Sequence, residues 1–123
     1  MIRSRYEIEL REGVKVELLF TLALFGVAKR RGIALDIEEG AGAEERITYF
    51  VKLMYAAAIL AHEYRLIDSP GLGEFPYNIM DFAEWSGNHP IQFAKIIKGA
   101  SAAIAGVEPE EGEAQGSEDV KKK

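Results

Sequence analysis

The chain has 123 residues, 48% of them hydrophobic, and a net charge of −5, which suits a single domain with a sizeable core. It has no cysteine, so disulfides and thiolate zinc sites are excluded and a reducing compartment is the simpler setting. The acidic balance offers no broad basic face for nucleic acid, no apolar run approaches the ~20 residues that cross a bilayer, and MIRSRYEIELREG carries no signal-peptide core.

Residues 6 to 18 alternate between apolar and charged. Tyr6, Ile8 and Leu10 are separated by Glu7 and Glu9, and Val14, Val16 and Leu18 by Lys15 and Glu17. Period two is the strand pattern, and Arg11-Glu12-Gly13 between the runs is a turn, so a β-hairpin is predicted. The charged residues of both strands should share one face and leave the other to the core.

From Leu19, LFTLALFGVAKRRG is apolar nearly all round and stops at basic residues and glycine. It reads as a buried helix with a C-terminal cap. Lys29-Arg30-Arg31 then complements the helix C-terminus in preference to binding phosphate. Gly26 costs about 1 kcal/mol against alanine, which suggests a close approach of neighbours. IALDIEEGAGAEE is a loop, and its Gly40 and Gly42 match no phosphate-cradling motif.

The longest helix is predicted from Glu44 to Arg65. Ile47, Phe50, Val51, Met54, Ala58 and Ala61 recur at helical spacing on one face, with Tyr49, Leu53, Ala56 and Leu60 on a second. A polar stripe of Glu45, Thr48, Lys52 and Tyr55 leads to His62, which reads as a solvated or capping residue because no metal partner stands at ligand spacing. The three alanines, Ala56 to Ala58, are read as packing surface.

LIDSPGLGEFPY is a loop, and Pro76 is placed at the start of the next helix. NIMDFAEW places Ile79, Phe82, Ala83 and Trp85 at helical spacing, and Gly87 should end it. Asn88 or His89 then caps a last helix that opens on Pro90 and runs to about Ala105. Beyond Gly106, six carboxylates and three lysines stand among few apolar residues, so a disordered acidic tail over 107–123 is expected. The fold class is therefore mainly α (α+β): one domain over 1–106, with an N-terminal β-hairpin followed by a bundle of about four helices.

No catalytic constellation is found. The four serines stand outside any nucleophile motif, and Asp81 with Glu84 reads as a solvated face. No catalytic, cofactor-binding or metal residues are assigned, and a non-enzymatic protein is expected.

The order of parts, with LLFTLALFGVAKRRG, VKLMYAAAILAHE, MDFAEW and the Pro-led NHPIQFAKII, resembles the tail assembly chaperones of long-tailed bacteriophages and related prophages over residues 5 to 105. The resemblance implies a protein of the bacterial host cytoplasm that binds the tape measure protein, keeps it soluble during tail assembly and helps recruit the tail tube protein. Members of that family are often made in two lengths, the longer by a ribosomal frameshift, and this chain resembles the short form. Candidate protein-binding residues are Ala57, Phe75, Tyr77, Phe82 and Trp85; the alternative for the aromatics is that they close the core. The second functional reading is a small homo-oligomeric structural or adaptor protein, with the run from Leu53 to Ala61 as its subunit interface. A third is an enzyme or ligand-binding domain with a pocket under the loop from Pro70 to Pro76.

Overall fold

The computed structural model describes residues 3–106. The expected tail over 107–123 lies outside the described residues. A two-stranded hairpin is followed by four helices, as the alternation and the helical spacings predict.

Strand β1 (Arg5–Arg11) pairs antiparallel with β2 (Val14–Leu19). Tyr6 faces Leu18 and Ile8 faces Val16, while Glu9 faces Lys15 on the other side of the ribbon. The register slips between Glu9 and Arg11, a bulge at Leu10 that twists the strand end. Gly13 closes the turn at φ 78°, and its N–H donates to the Glu9 carboxylate at 2.9 Å. Ile8, Leu10, Val16 and Leu18 are buried, so one face of the hairpin is core and the other is charged.

The strand continues one residue into the predicted helix. Leu19 belongs to β2, and the Phe20 N–H donates to the Ser4 carbonyl at 2.7 Å. Helix α1 is therefore shorter than expected, Ala23–Arg30. It ends as predicted: Gly32 lies at φ 72°, Gly32 N–H meets Lys29 O, and Ile33 N–H meets Ala28 O at 2.8 Å. This pair of bonds satisfies carbonyls that the helix cannot. Gly26 is exposed, and a Cβ there would touch nothing within 4 Å, so it does not mark a close approach.

Helix α2 (Ala43–Asp68) is the centre of the molecule. Hairpin strand β2, helix α1 and helix α3 (Ile79–Asn88) all pack on it. From Leu53 to Ala61 only Tyr55 escapes full burial. The alanines leave α2 thin there, so its neighbours seat close to its backbone, which fits the interior density of folded chains. Ile47 departs from its expected place in the core and is 53% exposed.

After a single 3-10 turn, Pro70–Leu72, the chain runs extended to Asn78. Asn78, not Pro76, starts α3. Its side chain accepts from Asp81 N–H at 3.2 Å, and Asp81 accepts from Asn78 N–H at 3.0 Å. This capping box fixes the helix start. Gly87 lies within α3, which runs on to Asn88. Helix α4 (Pro90–Ala105) follows and ends at a left-handed Gly106.

Helix α4 meets the start of the chain at Gly99. A Cβ on Gly99 would stand 1.9 Å from the Tyr6 hydroxyl oxygen and 3.0 Å from its ring carbon. Tyr6 is itself held edge-on to the buried Phe20 ring at 5.7 Å. Gly99→Ala gains helix propensity of about 1 kcal/mol, but overpacking costs about 1–3 kcal/mol. A net loss of about 1 kcal/mol is expected in urea unfolding, with most of it recovered when Tyr6→Phe is added. A more stable Gly99→Ala protein would show that the Tyr6 ring moves aside freely.

Candidate functional site

The expected contact residues divide into two groups. Ala57, Phe82 and Trp85 are core residues, at 0%, 0% and 2% exposure. In this fold they present no surface to a partner, which corrects the expectation that they form one. Their burial follows from the position of α2, which is covered on several sides at once. Phe75 and Tyr77 remain half-buried and pack against that core.

Phe75 joins the elements together. Its ring stacks on Phe82 at 6.3 Å and 18°, meets Tyr55 edge-on at 6.0 Å, and meets Tyr77 at 5.4 Å. His62 approaches the same ring edge-on at 5.6 Å. The His62 Nε2–H donates to the Gly73 carbonyl at 2.8 Å, so His62 is neither free in solvent nor a helix cap. It ties the 69–77 loop to α2. His62→Ala is expected to lower stability by about 1 kcal/mol, the ordinary worth of one such hydrogen bond. Proteolysis within 69–77 should accelerate in the same variant. An unchanged cleavage rate would show that Phe75 alone holds the loop.

His89 also has a defined task. Its Nδ1–H donates to the Trp85 carbonyl at 3.0 Å, and its ring stacks on the indole at 4.9 Å. It stands before α4, but its side chain serves the end of α3. Asp81 pairs with Arg11 at 2.9 Å in addition to capping α3, so it is a structural carboxylate and no partner of Glu84. Arg30 and Arg31 both reach Glu63, at 3.0 and 3.8 Å, and this hydrogen-bonded carboxylate holds the Arg30 guanidinium above its usual pKa. The basic cluster thus fastens α1 to α2 as well as following the helix end. Among the described residues no three His, Asp or Glu side chains converge as a metal site. None of the described helices is long and apolar enough to cross a membrane.

The feature the sequence did not disclose is an apolar groove of about 480 Å³. The first half of α2 supplies one wall through Ile47, Thr48 and Val51. Helix α3 supplies the floor and a second wall through Ile79, Met80, Ala83, Ser86 and Gly87. Pro90 and Phe93, at the start of α4, close the end. Ile47 and Met80 are large apolar side chains left 53% and 66% exposed. Ala83, at helical spacing with the buried Phe82 and Trp85, is itself exposed. The Ser86 hydroxyl donates to the Phe82 carbonyl within α3 at 2.8 Å, so it makes no demand on a ligand. No titratable side chain lines the groove. Apart from the hydroxyls of Thr48 and Ser86 its lining is apolar, and it offers mainly apolar contact.

A second hollow of about 200 Å³ lies under the 69–77 loop, between β2 and α2, with Lys15, His62 and Arg65 among its lining. It corresponds to the pocket expected beneath Pro70 to Pro76. It is smaller and more polar than the groove, and His62 is already committed to Gly73.

Comparison with protein-family models, with curated proteins and with solved structures returns no match to this chain.

Proposed function

We propose that this protein is a non-enzymatic chaperone that holds an amphipathic helical segment of a client protein, and that the client is the tape measure protein of a long-tailed phage or prophage. The observation that carries the binding role is the groove between α2, α3 and the start of α4, with Ile47 and Met80 exposed at its walls. An apolar groove between helices is the usual seat of an amphipathic client helix. The phage assignment rests on the sequence resemblance over residues 5 to 105, which also implies a setting in the bacterial host cytoplasm and the tail tube protein as a second partner.

Coexpression with the tape measure protein encoded in the same gene cluster tests the proposal. The tape measure protein is expected to be soluble and to copurify with the wild-type chain. Met80→Glu should fold normally, because Met80 is mostly exposed, but should leave the client insoluble. A tape measure protein that stays insoluble beside the wild type would overturn the assignment.

The exposed apolar walls also suit the alternative of a homo-oligomer. In that case sedimentation would show a dimer that Met80→Glu dissolves, with no client in the complex.

A further inference from the structure

We infer that the occupant of the groove is a basic amphipathic helix, its apolar face against α3 and its lysines or arginines against an acidic shelf at one end. The inference rests on the reading of the groove as a client site and specifies the chemistry of the client.

The groove does not end in neutral surface. Thr48 lines it and also lines a second, polar hollow formed with Asp36, Glu44, Glu45, Tyr49 and Lys52. The apolar and acidic surfaces are therefore continuous across one residue of α2. The loop before α2 adds Glu38 and Glu39, both exposed. Among the described residues the ion pairs are Arg5–Glu17, Arg11–Asp81 and those of Arg30 and Arg31 with Glu63; none of them engages these five carboxylates. Nearby cations do not cancel them. Lys52 and Arg46, the latter donating to the Ala41 carbonyl at 3.1 Å, supply two positive charges against the five carboxylates. The N-terminus of α2 contributes roughly half a positive charge, which Glu44 and Glu45 outweigh. A helix seated in the groove thus meets net negative potential at the Thr48 end.

The geometry favours a helix over an extended segment. The lining is built from side chains of three helices and contains no strand edge, so it presents no row of free backbone groups for a strand to pair with. An extended chain laid there would leave its own N–H and C=O groups without partners, whereas a helix satisfies its own. Ala83 and Gly87 stand four apart on one face of α3 and keep the floor low, so a helix can approach closely. A second copy of this chain fits less well. An isologous contact sets the same surface against itself, and would bring two acidic shelves into one interface of a chain with net charge −5.

The test uses the full chain and two synthetic, fluorescein-labelled 18-residue peptides. Both have the same leucine face; one carries three lysines at one end and the other three glutamates. By fluorescence anisotropy at low salt, the lysine peptide is expected to bind about tenfold more tightly, with the gap narrowing as salt screens the shelf. Met80→Glu should weaken both peptides. Asp36→Asn with Glu45→Gln should weaken the lysine peptide alone, and circular dichroism should show both variants folded. Equal affinity for the two peptides would overturn the basic specificity. If neither peptide binds while the tape measure protein is still kept soluble, the groove is not the client site, although the chaperone assignment stands. A dimer dissolved by Met80→Glu would make the occupant a second copy and overturn the inference.

Discussion

Ala57→Glu is expected to abolish folding. Ala57 is fully buried in the middle of α2, in a stretch without a charged residue from Leu53 to Ala61. A carboxylate placed there has no cation three or four residues away on α2 to pair with it. Leaving a buried charge uncompensated costs several kcal/mol, against a total stability of about 5–15 kcal/mol for a domain. Circular dichroism should show loss of the helical signal, or a urea midpoint near zero. Glu12→Lys in the hairpin turn, an exposed position, is the control and should change little. A variant that unfolds cooperatively near the wild-type midpoint would remove Ala57 from the core and return it to the surfaces available for a partner.

Phe82→Ala should cost about 3–5 kcal/mol, the usual loss for a buried phenylalanine. Its ring is fully buried, lies 5.6 Å from Tyr55 and stacks on Phe75. Phe75→Ala should cost roughly half as much, because Phe75 is only partly covered and truncation there opens less of a cavity. Urea unfolding of both variants checks the ranking. Equal small losses, with client binding lost in both, would identify the aromatics as contact surface and contradict the core seen here.

The hairpin was legible because its face is half solvated, so burial writes itself into the sequence as strict alternation. The same clarity failed at Leu19 and Phe20. Both are buried at the strand end, and an apolar run cannot distinguish a buried strand end from a helix start. The start of α3 was legible in principle. Asn78-Ile79-Met80-Asp81 carries the capping-box spacing, but Pro76 is the louder helix-start signal. The alanine-rich stretch of α2 is packing surface, as its spacing predicts, but the same sequence also offered Ala57 as a contact residue, which its burial rules out. The groove was not legible, and Ile47 and Ala83 show why. Helical spacing reveals which side of a helix a residue occupies. Whether the remaining chain extends far enough to cover that side is decided by where α3 and α4 finally lie. For the same reason Phe82 and Trp85 could not be separated from Phe75 and Tyr77 by sequence alone.

The seat of Tyr6 against Gly99 bears on how the protein is made. Most packing in this molecule joins elements close in sequence: β1 with β2, α1 with α2, α2 with α3. Such contacts form quickly. The contacts of β1 with α3, and of Tyr6 with α4, are different, because they join the first strand to the last two helices and carry the entropy of closing long loops. On the ribosome the hairpin emerges first, α2 follows in mid-chain and packs on β2, and α3 and α4 arrive later to finish the cover over β1 and Tyr6. Until then the hairpin's apolar face is only partly covered. The newborn chain thus exposes, for part of its synthesis, apolar surface that the finished fold hides.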